Sequence, residues 1–445
     1  MKPNRLMVRF LTVGALVLLL LVPLALIRGV VQERQQYREE AVTRAAQTGA
    51  AAQTFVGPLR VVPWTDTRRV ESVDANGNIQ HRSERSSGYL LQTPRSLDLT
   101  GELAPHALRV GLYRVGVYEW HGKLRATFDT ALPSAPADTK REYSAPYLVF
   151  GVSDVRGLVG TPALRVDGQP FPLMAGTGAL GTRLTGMRAL LPAVTGDHLA
   201  GAEVGLDFVL KGTQTLAVAP VADDNRVQLT SPWPHPKFEG YSPRSEVRAD
   251  GFTALWEISS LASNVQTQLR SVRLDDDGAG NVAGTVDTAG VSLIDPVDVY
   301  TKADRASKYG ILFVVLTFLG FALFELIKRL PIHPMQYLLV GLALALFFLL
   351  LLSLSEHIPF LPAYGVAASA CIGLQLVYLS GVLGSWLRAA AFATLLTVLY
   401  GALYGLLVSE DNALLMGSLL LFGVLAAVMG LTRKVDWYGL SASLR

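Results

Sequence analysis

The chain has 445 residues, of which 50% are hydrophobic and 17% charged, with a mean hydropathy of +0.35. Soluble domains carry about a quarter charged residues, so an ordinary soluble enzyme does not fit, and the apolar content excludes a disordered chain. The 39 basic and 36 acidic residues are too many to be kept out of lipid, so the average hides two unlike parts, and a net charge of +3 gives no reason to expect nucleic acid.

Residues 10–27, FLTVGALVLLLLVPLALI, contain no charge. A helix needs about 20 apolar residues to cross a bilayer core, with ~18 as the working threshold, so this is the first predicted span. The run is longer than the apolar core of a signal peptide and no A-x-A site follows it, so it reads as an uncleaved anchor. Residues 29–54 follow as a polar helical stem with Glu33 and Arg38 among its exposed charges.

Residues 55–308 read as a β-rich antiparallel domain. Asn76-Gly77, Asp167-Gly168 and Asp277-Gly278 sit between short alternating runs, and His121-Gly122 sits between LYRVGVYEW and KLRATF. These dipeptides predict hairpin turns. Val204, Leu206, Phe208 and Leu210 alternate with more open positions, as do Phe252, Ala254, Trp256 and Ile258; each set predicts a strand with one buried face. Segment 131–142 is a Pro/Ser/Ala-rich surface loop. Segment 231–245, SPWPHPKFEGYSPRS, holds four prolines and cannot be a central strand, because proline donates no ladder bond. It is expected as an ordered extended loop pinned by Trp233, Phe238 and Tyr241, serving either recognition or cover for a sheet edge. The only cysteine, Cys371, lies in a predicted span, so the β-rich part has no disulfide.

Five more spans follow, at 309–327, 335–355, 363–386, 389–408 and 413–431. The fourth and fifth spans of the chain are separated only by the Trp386–Arg388 break. Basic residues mark cytoplasmic ends. With Lys2, Arg5 and Arg9 inside, six crossings place Lys328/Arg329, Arg388 and Arg433/Lys434 on the same side. Glu356/His357 and Glu410/Asp411 then fall on the other side. The expected layout is a tip and anchor (1–28), stem (29–54), periplasmic β domain (55–308), five-helix bundle (309–431) and cytoplasmic tail (432–445). Residues 29–308 carry 29 basic and 31 acidic residues, so the basic excess belongs to the membrane part.

Several stretches resemble the CreD family of bacterial inner-membrane, cell envelope integrity proteins. The strongest are PVDVYTKADRASKYGILFVVLTFLGFALFE at 296–325 and RLPIHPMQYLLVGLALALFFLLLLSLSEH at 329–357. TRKVDWYGL at 432–440 also fits, as do Gly57-Pro58 and GELAPHALRVGLYRVGVYE in the β domain. LVFGVSDVRGL at 148–158 carries Asp154 and Arg156, and HPKFEGYSPRSEVRADGFTALWEISSLASN at 235–264 carries His235 and Trp256. Lys237, Ser242 and Ser263 depart from the pattern. The resemblance implies a multi-pass inner-membrane protein acting in envelope integrity, colicin tolerance and β-lactam response. It implies no mechanism, since the family has no agreed molecular activity.

The residues themselves offer little chemistry. None of the seven histidines is spaced as a metal ligand, and no nucleotide-binding or nucleophile-elbow motif occurs. No cofactor is expected. Ser353 and His357 share a helix face at i,i+4 beside Glu356, which is either a site under the β domain or a helix end at the headgroups. Glu325 can pair with Lys328 or Arg329 near a span end, and a carboxylate there is a functional candidate by default. His333 lies in the turn Pro331-Ile332-His333-Pro334, which should make spans two and three an antiparallel hairpin. Asp295, Asp298, Asp304, Arg305 and Lys308 join domain to membrane, with Tyr300 and Tyr309 as interfacial anchors. Gly381–Gly384 and Gly401–Gly405 are small-residue faces for helix packing, and Gln375 is the main polar group deep in a span. The candidate positions are therefore Glu325, His333, Glu356, His357, Asp154, Arg156, His235 and Trp256. The expected function is a non-enzymatic envelope factor whose partners are membrane lipids and an envelope protein or cell-wall component. A transporter and an enzyme acting on a lipid-linked or cell-wall substrate are the alternatives. Oligomeric state is not legible.

Overall fold

The computed structural model describes residues 5–73, 79–133, 135–136, 138–193, 199–271, 282–293, 299–328, 332–409 and 413–433. In chain order the first elements are α1 (Arg5–Thr48), β1 (Gln53–Val73), β2 (Ile79–Gln92), β3 (Ser96–Val110) and β4 (Tyr113–Thr127). Then come β5 (Thr139–Tyr143), β6 (Tyr147–Val152), β7 (Leu158–Val166), β8 (Gln169–Phe171), β9 (Met174–Ala175) and β10 (Gly186–Leu190). They are followed by β11 (Glu203–Thr213), β12 (Thr215–Val218), β13 (Asp224–Ser231), β14 (Lys237–Gly240), β15 (Arg244–Arg248) and β16 (Gly251–Ser259). The short helix α2 (Val265–Ser271) and β17 (Ala289–Ser292) precede α3 (Val299–Lys328), α4 (Pro334–Ser355), α5 (Phe360–Val382), α6 (Trp386–Val408) and α7 (Ala413–Thr432). Two compact units result, Met1–Arg38 with Val297–Arg445, and Glu39–Pro296.

Among the described residues of the helical unit, five helices are long and apolar enough to cross a membrane, and the last, with its apolar part at Leu415–Gly430, is shorter. The fourth and fifth spans are two helices, but the break lies before Trp386–Arg388, which open α6: α5 ends at Val382 with Leu383 as its cap, Gly384 takes a φ of 60°, and Ser385 is extended. Only glycine adopts that φ without a steric penalty. Helix α3 starts at Val299, well before the expected apolar onset at 309, because its polar first turns are good helix formers braced by Lys308–Asp304 at 2.6 Å. It runs antiparallel to α4, as its two ends show: Glu325 meets Tyr337 and Tyr300 meets Glu356. An aromatic core links the helices through Phe321–Phe392, Phe347–Tyr364 and Phe347–Tyr400, with ring centroids 5.2, 5.4 and 4.7 Å apart.

The expected glycine faces are largely wrong. Gly381, Gly384 and Gly401 have open space where a Cβ would stand, and only Gly405 meets a neighbour, Met416. Close approach is instead made at Gly341, where a Cβ would come within 2.1 Å of Leu20, and at Gly320, within 2.6 Å of Leu395. Gly341 thereby seats the anchor helix on α4, the small-residue packing that lipid favours.

The β unit holds a nine-stranded and an eight-stranded sheet that bury one continuous core containing Phe55, Trp120, Phe208 and Trp256. Pairing is antiparallel except at β1–β12 and β3–β13. The chain reaches these parallel positions by changing sheets: β11 lies in one, Gln214 turns with a φ of 63°, and β12 joins the other. The predicted alternations hold, with Val204, Leu206, Phe208 and Leu210 buried in β11 and Phe252, Ala254, Trp256 and Ile258 in β16.

The turn predictions divide. Asp167-Gly168 is the β7–β8 turn, with φ of 49° and 80°. Asn76-Gly77 lies outside the described residues, although β1 and β2 pair as far as Val73↔Ile79; Asp277-Gly278 also lies outside. His121-Gly122 is not a turn. Strand β4 runs straight through it, since Gly122 makes room for the Phe208 ring, whose Cζ would stand 2.4 Å from a Cβ there. The hairpin closes at Gly111-Leu112 instead. The 131–142 loop ends early, because β5 begins at Thr139 and pairs with β1. The 231–245 segment is partly a strand. Lys237–Gly240 forms an edge strand, which the proline rule permits, and Trp233, Phe238 and Tyr241 do pack on the core. The stem helix stops at Thr48, and β1 begins at Gln53, inside the expected stem. Asp295, Asp298, Arg329, Pro331, Glu410, Asp411, Lys434 and most of the 432–440 stretch lie outside the described residues.

Candidate functional site

Asp154 and Arg156 form a knot at the end of α1. The Asp154 carboxylate accepts the Ala51 N–H through Oδ2 at 3.1 Å and the Arg156 N–H through Oδ1 at 3.1 Å. The Arg156 guanidinium donates to it at 2.6 and 2.9 Å. The same guanidinium donates to the carbonyls of Gln47 at 2.6 Å and Ala46 at 3.1 Å. These are carbonyls of the last helical turn, which have no partner within the helix, and a cation there also answers the helix dipole. Arg156 holds the Asp154 carboxyl below its ordinary value; burial opposes this and the two backbone N–H groups assist. Gln53 completes the knot, donating to the Asp154 carbonyl at 2.8 Å and the Lys211 carbonyl at 3.1 Å. Gly157 is obligatory, since a Cβ would lie 2.3 Å from the Lys211 oxygen. The motif is thus a helix-to-sheet joint. Gln53 carried no sequence signal, because its role depends on two distant carbonyls.

Glu356 and His357 are adjacent in sequence but turn to different partners. Glu356, 9% exposed at its side chain, lies 3.6 Å from Arg34 Nε of α1 and accepts from the Tyr300 hydroxyl at 3.4 Å. Gln35 donates to the Tyr300 carbonyl at 3.4 Å. Glu356 therefore joins α1, α3 and the end of α4. His357 Nδ1 meets the Ser353 carbonyl at 3.0 Å, not its hydroxyl, so no Ser–His–Glu relay is assembled. Arg34 and Tyr300 were missed in sequence because both carry a sufficient alternative reading, a stem charge and an interfacial anchor.

At the opposite end of the hairpin, Glu325 accepts from the Tyr337 hydroxyl at 2.7 Å; the side chain of Lys328 and all of Arg329 lie outside the described set. His333 caps α4: Nδ1 accepts the Met335 N–H at 3.3 Å, and Gln336 Oε1 accepts the His333 N–H at 3.0 Å. This is a reciprocal capping box with Pro334 in the first turn. In the β unit, Trp256 is buried and donates to the Tyr241 carbonyl at 2.7 Å. His235 is exposed and offers its carbonyl to the Trp233 indole at 2.9 Å. Among the described residues no group of three His, Cys, Asp or Glu side chains could hold a metal.

One concavity lies on the β unit beside the same family-like segment. It is an open, solvent-facing groove of about 530 Å³, lined by Glu102, Thr230, Glu246, Arg248, Asp250 and Thr253 among others. Four of these stand in one cross-strand row, Glu246↔Thr253↔Thr230↔Glu102. Arg248 is bonded to Glu246 at 2.6 Å. The volume is that of a small-molecule or side-chain site. Sequence reading missed it, since its residues come from β13, β15 and β16, and Glu102 joins them through the parallel β3–β13 pairing.

The anchor, the apolar helices and the two-sheet unit together define a multi-pass membrane protein carrying a large β domain. The family described as "Inner membrane protein CreD" matches residues 5–438. The chain is also similar to the Inner membrane protein CreD of Escherichia coli (strain K12), with 35% identity over 429 residues, covering 96% of this chain and 92% of that protein. The chain belongs to the CreD family of inner membrane proteins.

Proposed function

We propose that this protein is a non-enzymatic factor of the inner membrane that supports envelope integrity and the response to envelope and β-lactam stress. The β unit stands in the periplasm, both termini are cytoplasmic, and the β unit binds an envelope protein or cell-wall component. The observation that carries the reading is the concavity of about 530 Å³ walled by the 244–253 segment. The divergence of Glu356 and His357 supports it, because Glu356 serves helix joining and the His357 ring meets a carbonyl of its own helix. Complementation of a deletion strain under detergent and β-lactam stress tests it. Thr253→Trp, at an exposed position that leaves the core untouched, should fill the concavity and fail to complement at normal membrane levels. His357→Gln should complement, since the histidine ring meets a carbonyl of its own helix. The reverse pattern would overturn the binding reading in favour of an enzyme. Phosphatase fusions in the 131–138 loop should be active if the β unit is periplasmic.

Transport is the second reading. Gln375 is 2% exposed and neither of its amide atoms has a hydrogen-bond partner, an arrangement that lipid-spanning helices reserve for internal polar sites. Solute flux in proteoliposomes would establish it.

A further inference from the structure

The tip of the β3–β4 hairpin combines charge and apolar exposure in a way that its own fold does not explain. The strands pair in unbroken register from Ser96↔Thr127 to Val110↔Tyr113. The two-residue turn is Gly111-Leu112, with Gly111 at a φ of 62°, as a turn with glycine first requires. On one face Val110, Tyr113 and Val115 pack against Ala41, Val42 and Ala45 of α1. The intervening pair, directly opposed across the strands, is Arg109↔Arg114.

Like charges placed directly opposite destabilise a hairpin. Both arginines are exposed, and neither has a carboxylate partner among the described residues. The tip from Ala107 to Gly116 contains no acidic residue. Leu112 at the apex is 63% exposed and Leu108 is 40% exposed. Single exposed leucines are ordinary. Leu108 pairs with Val115 on the α1-packing side, whereas Leu112 at the apex adjoins the uncompensated arginine pair and makes a tip that is cationic and apolar together.

We propose that this tip docks on an anionic phospholipid surface. The paired guanidiniums take headgroup phosphate, for which their planar donor forks are suited, and Leu112 enters the acyl boundary. The chain is itself membrane-anchored, so a lipid surface is always present at high effective concentration. A soluble polyanion would satisfy the arginines and leave the exposed Leu112 without a role. This interaction is separate from the concavity and does not depend on the envelope partner proposed for it.

The test uses the full chain in nanodiscs, in a Cys371→Ala background, with an environment-sensitive fluorophore on Leu112→Cys. Discs are made of phosphatidylcholine alone or with phosphatidylglycerol, each with and without quencher-bearing lipid. The expected result is a blue-shifted emission and lipid quenching in the anionic discs, both lost in Arg109→Gln with Arg114→Gln and weakened by salt. Far-UV circular dichroism of the double variant confirms that the fold is retained. Equal signals in neutral and anionic discs, or signals unchanged by the double variant, would overturn the proposal. So would emission that responds to added inorganic phosphate and not to disc composition, which would mark an anion site without lipid docking.

Discussion

Asp154→Ala should loosen the joint between α1 and the β unit. The carboxylate accepts two backbone N–H groups, from Ala51 and Arg156, both at 3.1 Å. Hydrogen bonds to a charged group contribute about 1.5 kcal/mol each at the low end of their range. Its ion pair with Arg156 is open to water, that side chain being 53% exposed, so it is counted on the surface scale of ~0.2–1 kcal/mol. The expected loss is about 3 kcal/mol, or a fall of roughly 6–12 °C in the melting temperature of a unit this size. The assay is thermal unfolding of the purified chain, with hydrogen exchange at residues 46–53 as the local readout. The pH dependence has a fixed sign. The Asp154 carboxyl is held below its ordinary value, chiefly by Arg156, so its contribution is complete above the unfolded aspartate value of about 4 and is lost as pH falls through the folded one. The gap between wild type and variant should therefore narrow below about pH 4. An equal gap at neutral and strongly acid pH, or unchanged exchange at 46–53, would refute the reasoning.

Two further substitutions probe single contacts. Gly157→Ala places a Cβ 2.3 Å from the Lys211 oxygen and 2.4 Å from Gln53 Nε2, so it should cost about 1–3 kcal/mol by overpacking, read as a lower melting temperature with faster exchange at Gln53. Tyr337→Phe removes the hydroxyl that meets Glu325 at 2.7 Å and should destabilise the α3–α4 hairpin by about 1–3 kcal/mol, measured by denaturant unfolding in detergent; no change would mean that Glu325 finds an equivalent donor.

The helical half was legible because lipid imposes one rule, an apolar run of fixed length, and residues 335–355 obey it with little tertiary input. The β half was legible where alternation is strict, as in β11 and β16. It failed where glycine serves packing: Gly122 lies under the Phe208 ring, and a glycine beneath an aromatic ring looks in sequence like a glycine in a turn. The glycines of the spans failed for the same reason, since which of them face a helix is decided by Leu20 and Leu395 from distant elements. The two parallel pairings were beyond reach, because they follow from the change of sheet at Gln214. One of them brings Glu102 to the concavity.

Several residues singled out by the family resemblance prove to be joints. Asp154, Arg156 and Gly157 fasten a helix end to a strand, His333 caps α4, and Trp256 anchors the edge segment through Tyr241. Each makes contacts that a change of side chain would break, so a structural duty accounts for each without any role in binding. Function should then be sought among positions with no such duty. Thr253 lines the concavity from an exposed position, and Arg109 and Arg114 oppose each other at a cost to the hairpin. A joint residue should lower stability and activity together when replaced, whereas a residue at these surfaces should lower activity alone. Measuring both for Asp154→Ala and Thr253→Trp in the same membranes separates the two kinds of position.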